Sequence, residues 1–221
     1  MAVIHHTTIK PTKLELLASW LPTRPWYRAG AGEPQLAKAG GFRLDDPEGE
    51  VGIEFMVVTD TSGPEPTTYL VPMTYRGAPL DGAEHALVGT MEHGVLGRRW
   101  VYDGLHDQVL TTELLALIEG RVQAQAQSTT DTPDLDVTRS YTGEDRISAG
   151  STPATTDNNE GTDLTTSHGA TLHVHRVLRP APDDSPLLPQ GATGHVAGAW
   201  DLPDGTRAQG LFAVLRTSPQ G

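Results

Sequence analysis

Residues 50–76 read EVGIEFMVVTDTSGPEPTTYLVPMTYR, and this stretch predicts two β-strands joined by a turn. Its first part, Glu50 to Asp60, is apolar and rich in β-branched residues, and its last part, Thr67 to Arg76, alternates apolar and polar residues. Between them lies TSGPEP, a turn-forming sequence, so the pattern predicts a β-hairpin with a long loop. Because Pro72 has no N–H to donate to a sheet, we expect the second strand to lie at an edge or to carry a bulge there.

The sequence before this hairpin predicts a short helix. Pro11 lies where a helix can begin, and Pro22 ends the run. Between them, four large apolar residues recur with helical spacing and predict an amphipathic helix of about three turns: Leu14, Leu16, Leu17 and Trp20.

The sequence after the hairpin predicts another strand and a second helix. Arg98 to Asp103 reads RRWVYD and predicts the strand. From Asp107 to Gln127, apolar residues recur at helical spacing. Asp107 is a suitable N-cap for this helix, and Gly120 marks a weak point near its end.

The composition changes after residue 127. Residues 128–163 are rich in Ser, Thr, Asp, Gly and Pro, which predicts a polar linker or a mobile excursion. Strand patterns return in residues 164–221, namely in Ala170 to Leu178, His195 to Leu202 and Arg207 to Arg216. We therefore expect an α+β fold: an antiparallel sheet with packed helices in residues 1–127, and a small antiparallel β unit in residues 164–221 that packs on it.

Composition excludes several classes of function. The chain of 221 residues has no cysteine, which excludes disulfides, thiolate nucleophiles and iron–sulfur clusters and suits a reducing cytoplasm. With 28 acidic and 16 basic residues the formal net charge is -12, so nucleic acid and anionic membranes are poor partners. A standard signal peptide and a long apolar span are both missing from the sequence, and we expect a cytoplasmic protein.

No motif for nucleotide chemistry or for hydrolysis occurs in the sequence: there is no P-loop, dinucleotide-binding loop, kinase catalytic loop or G-x-S-x-G elbow. Asp103, His106 and Asp107 are of types that bind metals, but their spacing matches no metal motif. His173 and His175 share one face of a strand, which is typical of a half-exposed sheet as well as of a metal pair. We predict no catalytic residue, metal or cofactor.

The candidate binding residues are polar and aromatic. The segment from Glu92 to Asp107 is the richest polar cluster, with residue types suited to acid–base or ion-pair roles. Tryptophan and tyrosine side chains stack on sugar rings, although packing in a core explains many of them. The candidates are Trp26, Tyr27, Tyr75, Arg76, His93, Arg98, Arg99, Asp103 and His106.

Three stretches resemble the N-terminal cap of actinobacterial maltokinases and related aminosugar kinases. They are PTKLELLASWLPTRPWYR (11–28), TYLVPMTYRGAPL (68–80) and GRRWVYDGLHDQVLTTELLALIEG (97–120). The resemblance covers residues 1–127 and implies a sheet with a helix, cystatin- or monellin-like in shape. In these kinases the cap precedes a small lobe with an ATP-contacting lysine. Residues 172–178, LHVHRVL, look like that strand, with His173 at the lysine position, and residues 195–216 are similar to the next hairpin.

The resemblance implies a cap-like protein without the large lobe that carries the catalytic and metal-binding residues of a kinase. We therefore expect a non-catalytic accessory protein of maltose, trehalose or α-glucan (glycogen) metabolism that binds a kinase, a trehalose or α-glucan enzyme, or a carbohydrate. Two alternatives stay open. One is an enzyme of α-glucan or maltose metabolism centred on Asp103 and His106, and the other is a subunit that completes a separate kinase chain.

Overall fold

The computed structural model describes residues 9–28, 30, 32–129, 131–143, 146–148, 154–166, 169–182 and 189–216. The helices in these ranges are α1 (Lys13–Trp20) and α2 (Gln108–Glu119). The strands of the first half are β1 (Ile9–Lys10), β2 (Leu36–Leu44), β3 (Gly52–Asp60), β4 (Thr67–Arg76), β5 (Leu87–His93), β6 (Gly97–Asp103) and β7 (Gln125–Ala126). Those of the second half are β8 (Thr138–Tyr141), β9 (Ala154–Asp157), β10 (Gly161–Thr165), β11 (Thr171–His175), β12 (Val177–Leu178), β13 (Gly194–Asp201) and β14 (Arg207–Arg216).

All these strands belong to one sheet, and each pairing in the described part of the chain is antiparallel. The order is β1-β5-β6-β4-β3-β2-β13-β14-β11-β10-β9, with β7 beside β2, β8 beside β13 and β12 beside β4. The prediction of an α+β protein with an antiparallel sheet is therefore confirmed.

The sheet closes on itself at Arg176. Strand β11 pairs with β14, and β12, which begins one residue after Arg176, pairs with β4 through Val177 and Leu178. The strands β4, β3, β2, β13, β14 and β11–β12 thus form a ring, in which β2 and β13 meet through the single pair Gly40 and Trp200. The ring draws on residues before 127 and after 164, so the expected small β unit shares the sheet of the first 127 residues.

The main core lies within this ring and under α2. The Phe42 ring stacks on Phe55 with centroids 4.4 Å apart and faces Phe212 at 6.1 Å. Helix α2 adds buried side chains such as Leu114 and Ile118 to the same cluster. Each fully buried side chain of this size stabilises the fold by about 1.5–3 kcal/mol.

Helix α1 covers a second core on the other face of the sheet. Its N-cap is Thr12, whose side chain accepts a hydrogen bond from the Glu15 backbone while Glu15 binds the Thr12 backbone. This capping box satisfies two N–H groups that helix geometry leaves without partners. Leu17 and Trp20 are the buried residues of the helix, and Pro22 follows in a short 3₁₀ turn. The predicted first helix is confirmed, although its eight residues make about two turns rather than three.

The expectation for Pro72 was wrong, because β4 is central and its pairing with β3 runs without a shift. The other side of β4 is shared: β12 pairs with residues up to Tyr69, and β6 pairs from Met73 onwards. Leu70 donates its N–H to the Arg176 carbonyl on that side. Backbone N–H groups alternate between the two sides of a strand, so the nitrogen of Pro72 faces the same side as that of Leu70. On this side Pro72 lies in the gap between β12 and β6, and neither strand pairs with it. A residue without an N–H donor is therefore tolerated at this position.

Two further segments differ from the sequence expectation. Helix α2 ends at Glu119 rather than near Gln127, because Gly120 adopts the left-handed conformation with φ 79° and its N–H closes the helix. Residues 128–163, expected as a polar linker, contain β8 and β9 and the start of β10. These strands have few large apolar residues, and they are held in the sheet because β8 pairs with β13, β10 with β11, and β9 with β10.

Candidate functional site

Asp103 lies at the end of β6 and is the centre of a buried ion pair. Arg176, at the bend between β11 and β12, donates from Nη2 to both Asp103 carboxylate oxygens at 2.7 and 2.6 Å. Its Nε donates to the Thr162 hydroxyl at 2.9 Å, and the guanidinium lies 5.1 Å from the centroid of the Trp26 ring. Asp103 and Arg176 are both buried. Both oxygens of the carboxylate therefore bind Arg176 and hold the bend against the end of β6.

His106 follows Asp103 in a 3₁₀ turn and lies at the rim of the same cluster. Its Nδ1 is 3.2 Å from His85 Nε2 and 3.2 Å from the Thr155 hydroxyl. Burial lowers the pKa of His106, and the charges of His85 and Arg176 act in the same direction. These two contacts place the ring between Thr155 of β9 and the segment that precedes α2.

Asp107 and Arg76 form a second ion pair, in which the carboxylate is buried and the arginine is half-buried. Arg76 Nε and Nη2 each donate to one Asp107 oxygen at 2.7 Å, which is the bidentate geometry of a strong charge-assisted pair. The same carboxylate caps α2 by accepting the Val109 N–H at 3.0 Å. The prediction of Asp107 as the N-cap is confirmed. The bond to Asp107 raises the pKa of Arg76, and the arginine keeps its charge.

Tyr75 belongs to a polar group on the α1 side of the sheet. Its hydroxyl donates to Glu54 Oε2, and Lys13 Nζ binds the same oxygen at 2.6 Å. Gln127 binds the other oxygen at 3.1 Å. Burial raises the pKa of the Tyr75 hydroxyl well above its usual value, and the Glu54 charge adds to this. This cluster attaches α1 and the end of β7 to β3.

The aromatic candidates are packed in the second core. Trp26 is buried between Trp20 and Tyr69, whose ring centroids lie 5.8 and 5.9 Å away. Tyr27 stacks on Tyr69 at 5.6 Å and donates its hydroxyl to Asp60 at 2.8 Å. Burial, followed by the Asp60 bond, raises the pKa of Tyr27 to about 12. Trp26 offers no face to a sugar, whereas Tyr27 is half-buried.

His93, Arg98 and Arg99 lie on the hairpin formed by β5 and β6. His93 Nδ1 accepts hydrogen bonds from the backbone N–H groups of Val95 and Leu96 at 3.3 and 3.1 Å. Arg98 donates to Glu92 at 2.8 Å across the hairpin. The structure therefore divides the predicted polar cluster into two parts: Asp103, His106 and Asp107 lie at the base of this hairpin, and His93 and Arg98 lie near its tip.

His173 and His175 share one face of β11, as predicted. His173 Nδ1 lies 2.6 Å from Asp163, and the two imidazole rings meet edge to face at 4.6 Å. Burial lowers the pKa of His175 to about 4, and the charges of His173 and Arg216 contribute. Within the ranges that the structure describes, no three His, Asp or Glu side chains form a group able to hold a metal ion.

Sequence reasoning missed Arg176, the residue that organises the Asp103 cluster. The prediction for LHVHRVL concerned His173, which occupies the position of a lysine in the kinases that the chain resembles. An arginine inside an apolar strand was the feature of the sequence that could have indicated a buried ion pair, because a buried charge requires a partner of opposite sign. Glu54, an acid in the middle of the apolar run of β3, carried the same signal.

Residues 20–107 match the family model of the maltokinase N-terminal cap domain. The match covers less than half of the chain and supports the resemblance that the three stretches indicated. It extends from Trp20, at the end of α1, to Asp107, the N-cap of α2. No curated protein matches the chain. The helices in the described part of the chain are too short or too polar to cross a membrane.

Proposed function

We propose that this protein is a non-catalytic accessory module that binds an enzyme of maltose, trehalose or α-glucan (glycogen) metabolism. The family match supports the metabolic setting, since the domain in residues 20–107 is named for maltokinases. The ion pairs formed by the two central carboxylates support the non-catalytic role. Asp103 is held by Arg176 and Asp107 by Arg76, and both carboxylates are buried.

This observation carries the proposal because a general base or nucleophile needs a lone pair within reach of the substrate. Both oxygens of Asp103 accept bonds from a guanidinium that solvent does not reach, and both oxygens of Asp107 accept bonds from Arg76 and the backbone of α2. Releasing Asp103 would leave the buried Arg176 without its partner, and such a loss costs about 3–5 kcal/mol. Releasing Asp107 would leave the half-buried Arg76 without its partner and α2 without its N-cap. The geometry therefore favours a structural role for both residues.

The finer assignments belong to the same proposal. We place the protein in the cytoplasm, assign a cystatin- or monellin-like shape to the cap, and relate residues 164–221 to part of a kinase small lobe. We keep the division into residues 1–127, 128–163 and 164–221 as a statement about sequence relationship, because all three ranges contribute strands to one sheet. A carbohydrate that stacks on Tyr27 is an additional ligand in this scheme.

The test is affinity capture from the native cytoplasm with the tagged full-length chain, followed by mass spectrometry. Near-stoichiometric recovery of a kinase, a trehalose synthase or a glucan enzyme is the expected result. A kinase chain that supplies a large lobe would identify the protein as a subunit completing that kinase. Recovery of no protein above the level of an unrelated tagged control would contradict the accessory role.

The competing assignment is an enzyme of α-glucan or maltose metabolism centred on Asp103 and His106. It requires turnover by the purified protein with maltose, trehalose or maltoheptaose as substrate. The informative variant is His106→Gln, because His106 lies at the rim of the cluster and its removal leaves the Asp103–Arg176 pair intact. Turnover by the wild type that disappears in this folded variant would replace our proposal with the catalytic one.

A further inference from the structure

Two imidazoles meet on one face of β11, where alternate side chains of the strand lie side by side. The rings of His173 and His175 are in edge-to-face contact, with centroids 4.6 Å apart. Both residues are half-buried, and the His173 side chain is 16% exposed, so a small ion can reach the pair from solvent. Histidine is the commonest metal ligand among protein side chains. The proposed accessory function gives this pair no role.

The neighbouring strand β10 fixes the orientation of the first ring. Asp163 lies directly opposite His173, and its Oδ1 is 2.6 Å from His173 Nδ1. The other oxygen of Asp163 accepts a hydrogen bond from the Asn158 amide at 3.1 Å. Because a carboxylate only accepts hydrogen bonds, Nδ1 carries a proton, and the neutral ring keeps its lone pair on Nε2. A carboxylate bonded to the other ring nitrogen is the usual outer shell of a metal-binding histidine.

Gly161 leaves space beside that lone pair. In the register of β10 and β11, Gly161 is paired with His175, two positions from the Asp163–His173 pair. A Cβ added at Gly161 would lie 2.9 Å from His173 Nε2. The His173 ring therefore leans over Gly161, towards the position of His175. Any residue other than glycine would fill the space into which Nε2 projects.

The second ring also has a lone pair to give. Burial holds the pKa of His175 at about 4, and the charges of His173 and Arg216 act in the same direction, so the ring is neutral at pH 7. Among the residues that the structure describes, none forms a hydrogen bond with a ring nitrogen of His175. A metal ligand must be the neutral imidazole, and His175 is in this state without any proton to lose.

We propose that His173 and His175 form a two-imidazole binding site for a divalent transition ion above Gly161, with Asp163 as the residue that positions His173. Imidazole prefers Zn²⁺, Cu²⁺ and Ni²⁺, whereas Mg²⁺ and Ca²⁺ prefer oxygen ligands. Two protein ligands leave coordination positions for water, which agrees with the lack of a three-residue metal group in the described ranges. This site is independent of the proposed accessory function.

The first experiment is calorimetric titration of Zn²⁺ into the metal-free full-length protein at neutral pH, with Mg²⁺ as the comparison ion. We expect His173→Gln and His175→Gln each to weaken zinc binding by at least about 10-fold, and Asp163→Asn to weaken it by about 10-fold. His85→Gln is the matched control, because His85 and His106 form another imidazole contact, with ring nitrogens 3.2 Å apart. This control should bind zinc as the wild type does.

The second experiment reads the two rings directly and does not depend on how well a variant folds. Long-range ¹H–¹⁵N NMR spectra of the wild type show which ring nitrogen carries the proton. We expect Nδ1–H in His173, and on addition of Zn²⁺ we expect the Nε2 signal of His173 and one nitrogen signal of His175 to shift. In Asp163→Asn the Nε2–H tautomer of His173 should become more populated, a change that a merely structural role of Asp163 would not produce.

Three results would overturn the site. The first is zinc binding by the wild type that is no tighter than its binding of Mg²⁺. The second is an unchanged zinc affinity in both His173→Gln and His175→Gln. The third is a loss of zinc binding in His85→Gln, which would place the ion at the His85–His106 contact. Each of these results would leave the accessory function standing, because that function is tested by capture of a partner enzyme.

Discussion

Arg176 donates two hydrogen bonds, at 2.7 and 2.6 Å, to the carboxylate of Asp103, which lies 73 positions earlier in the chain. Asp103 lies within the segment that matches the cap-domain model, and Arg176 lies outside it. The pair therefore joins this segment to the strands that follow residue 127. It also fixes the bend at which the sheet closes on itself.

Removing one partner of this pair should be costly. We expect Arg176→Met to lower the free energy of unfolding by about 3–5 kcal/mol, because Asp103 would remain buried and charged without a counter-ion. The measurement is urea denaturation at neutral pH. Arg98→Met is the control, since the Arg98–Glu92 pair is exposed and such pairs contribute at most about 1 kcal/mol. Equal losses in the two variants would refute a special role for Arg176.

His175 should make stability depend on pH. Burial holds its pKa at about 4, below the usual 6.5, and His173, Arg216 and Arg179 oppose its protonation while Glu160 favours it. Between pH 6.5 and 4 the unfolded chain therefore binds a proton that the folded chain does not bind. Stability due to this group is complete above pH 6.5 and falls as the pH decreases.

The variant His175→Gln isolates this effect. Acidification from pH 7 to pH 4.5 should lower the unfolding free energy of the wild type by about 1–2 kcal/mol more than that of the variant; this range is reduced from the full shift because the side chain is partly solvated. Denaturation curves at several pH values measure the difference. A constant gap between the two proteins across this range would exclude His175 as the titrating group.

Asp107 has two structural roles, and its replacement should remove both. We expect Asp107→Ala to lower the unfolding free energy by about 2–4 kcal/mol, since the helix loses its N-cap and the half-buried Arg76 loses its bidentate partner. Thr12→Ala, which removes the cap of α1 alone, should lower it by about 1 kcal/mol. Chemical denaturation followed by circular dichroism compares the two variants, and similar losses would show that the Arg76 pair contributes little.

Gly120 should resist substitution because of its backbone conformation. At φ 79° an added Cβ is strained, and it would also meet the Arg139 guanidinium. We expect Gly120→Ala to lower the melting temperature by several degrees, corresponding to about 1–2 kcal/mol. Gly32→Ala is the control, because a Cβ there meets nothing within 4 Å. A Gly120→Ala protein as stable as the control would contradict the assigned helix end.

Local features of the fold were predictable from the sequence. The β3–β4 hairpin, α1, the N-cap Asp107 and strands β6, β13 and β14 all followed from periodicity and from turn or cap residues, because these signals act over a few positions. Strands β8, β9 and β10 were missed, since Ser, Thr, Asp and Gly are typical of loops and here take strand conformation through pairing with β11 and β13. Pro72 was misplaced because its role depends on which strands lie beside β4.

The α+β class, the resemblance to the cap domain and the residues available for polar contacts followed from the sequence alone. The role of each of those residues depends on the tertiary structure. It placed Arg176 on Asp103, Arg76 on Asp107 and Tyr75 on Glu54, so that groups suited to chemistry became buried ion pairs and hydrogen bonds. The physical reason is that the cost of burying a charge depends on its partner, and the partner of each of these groups comes from a distant part of the chain.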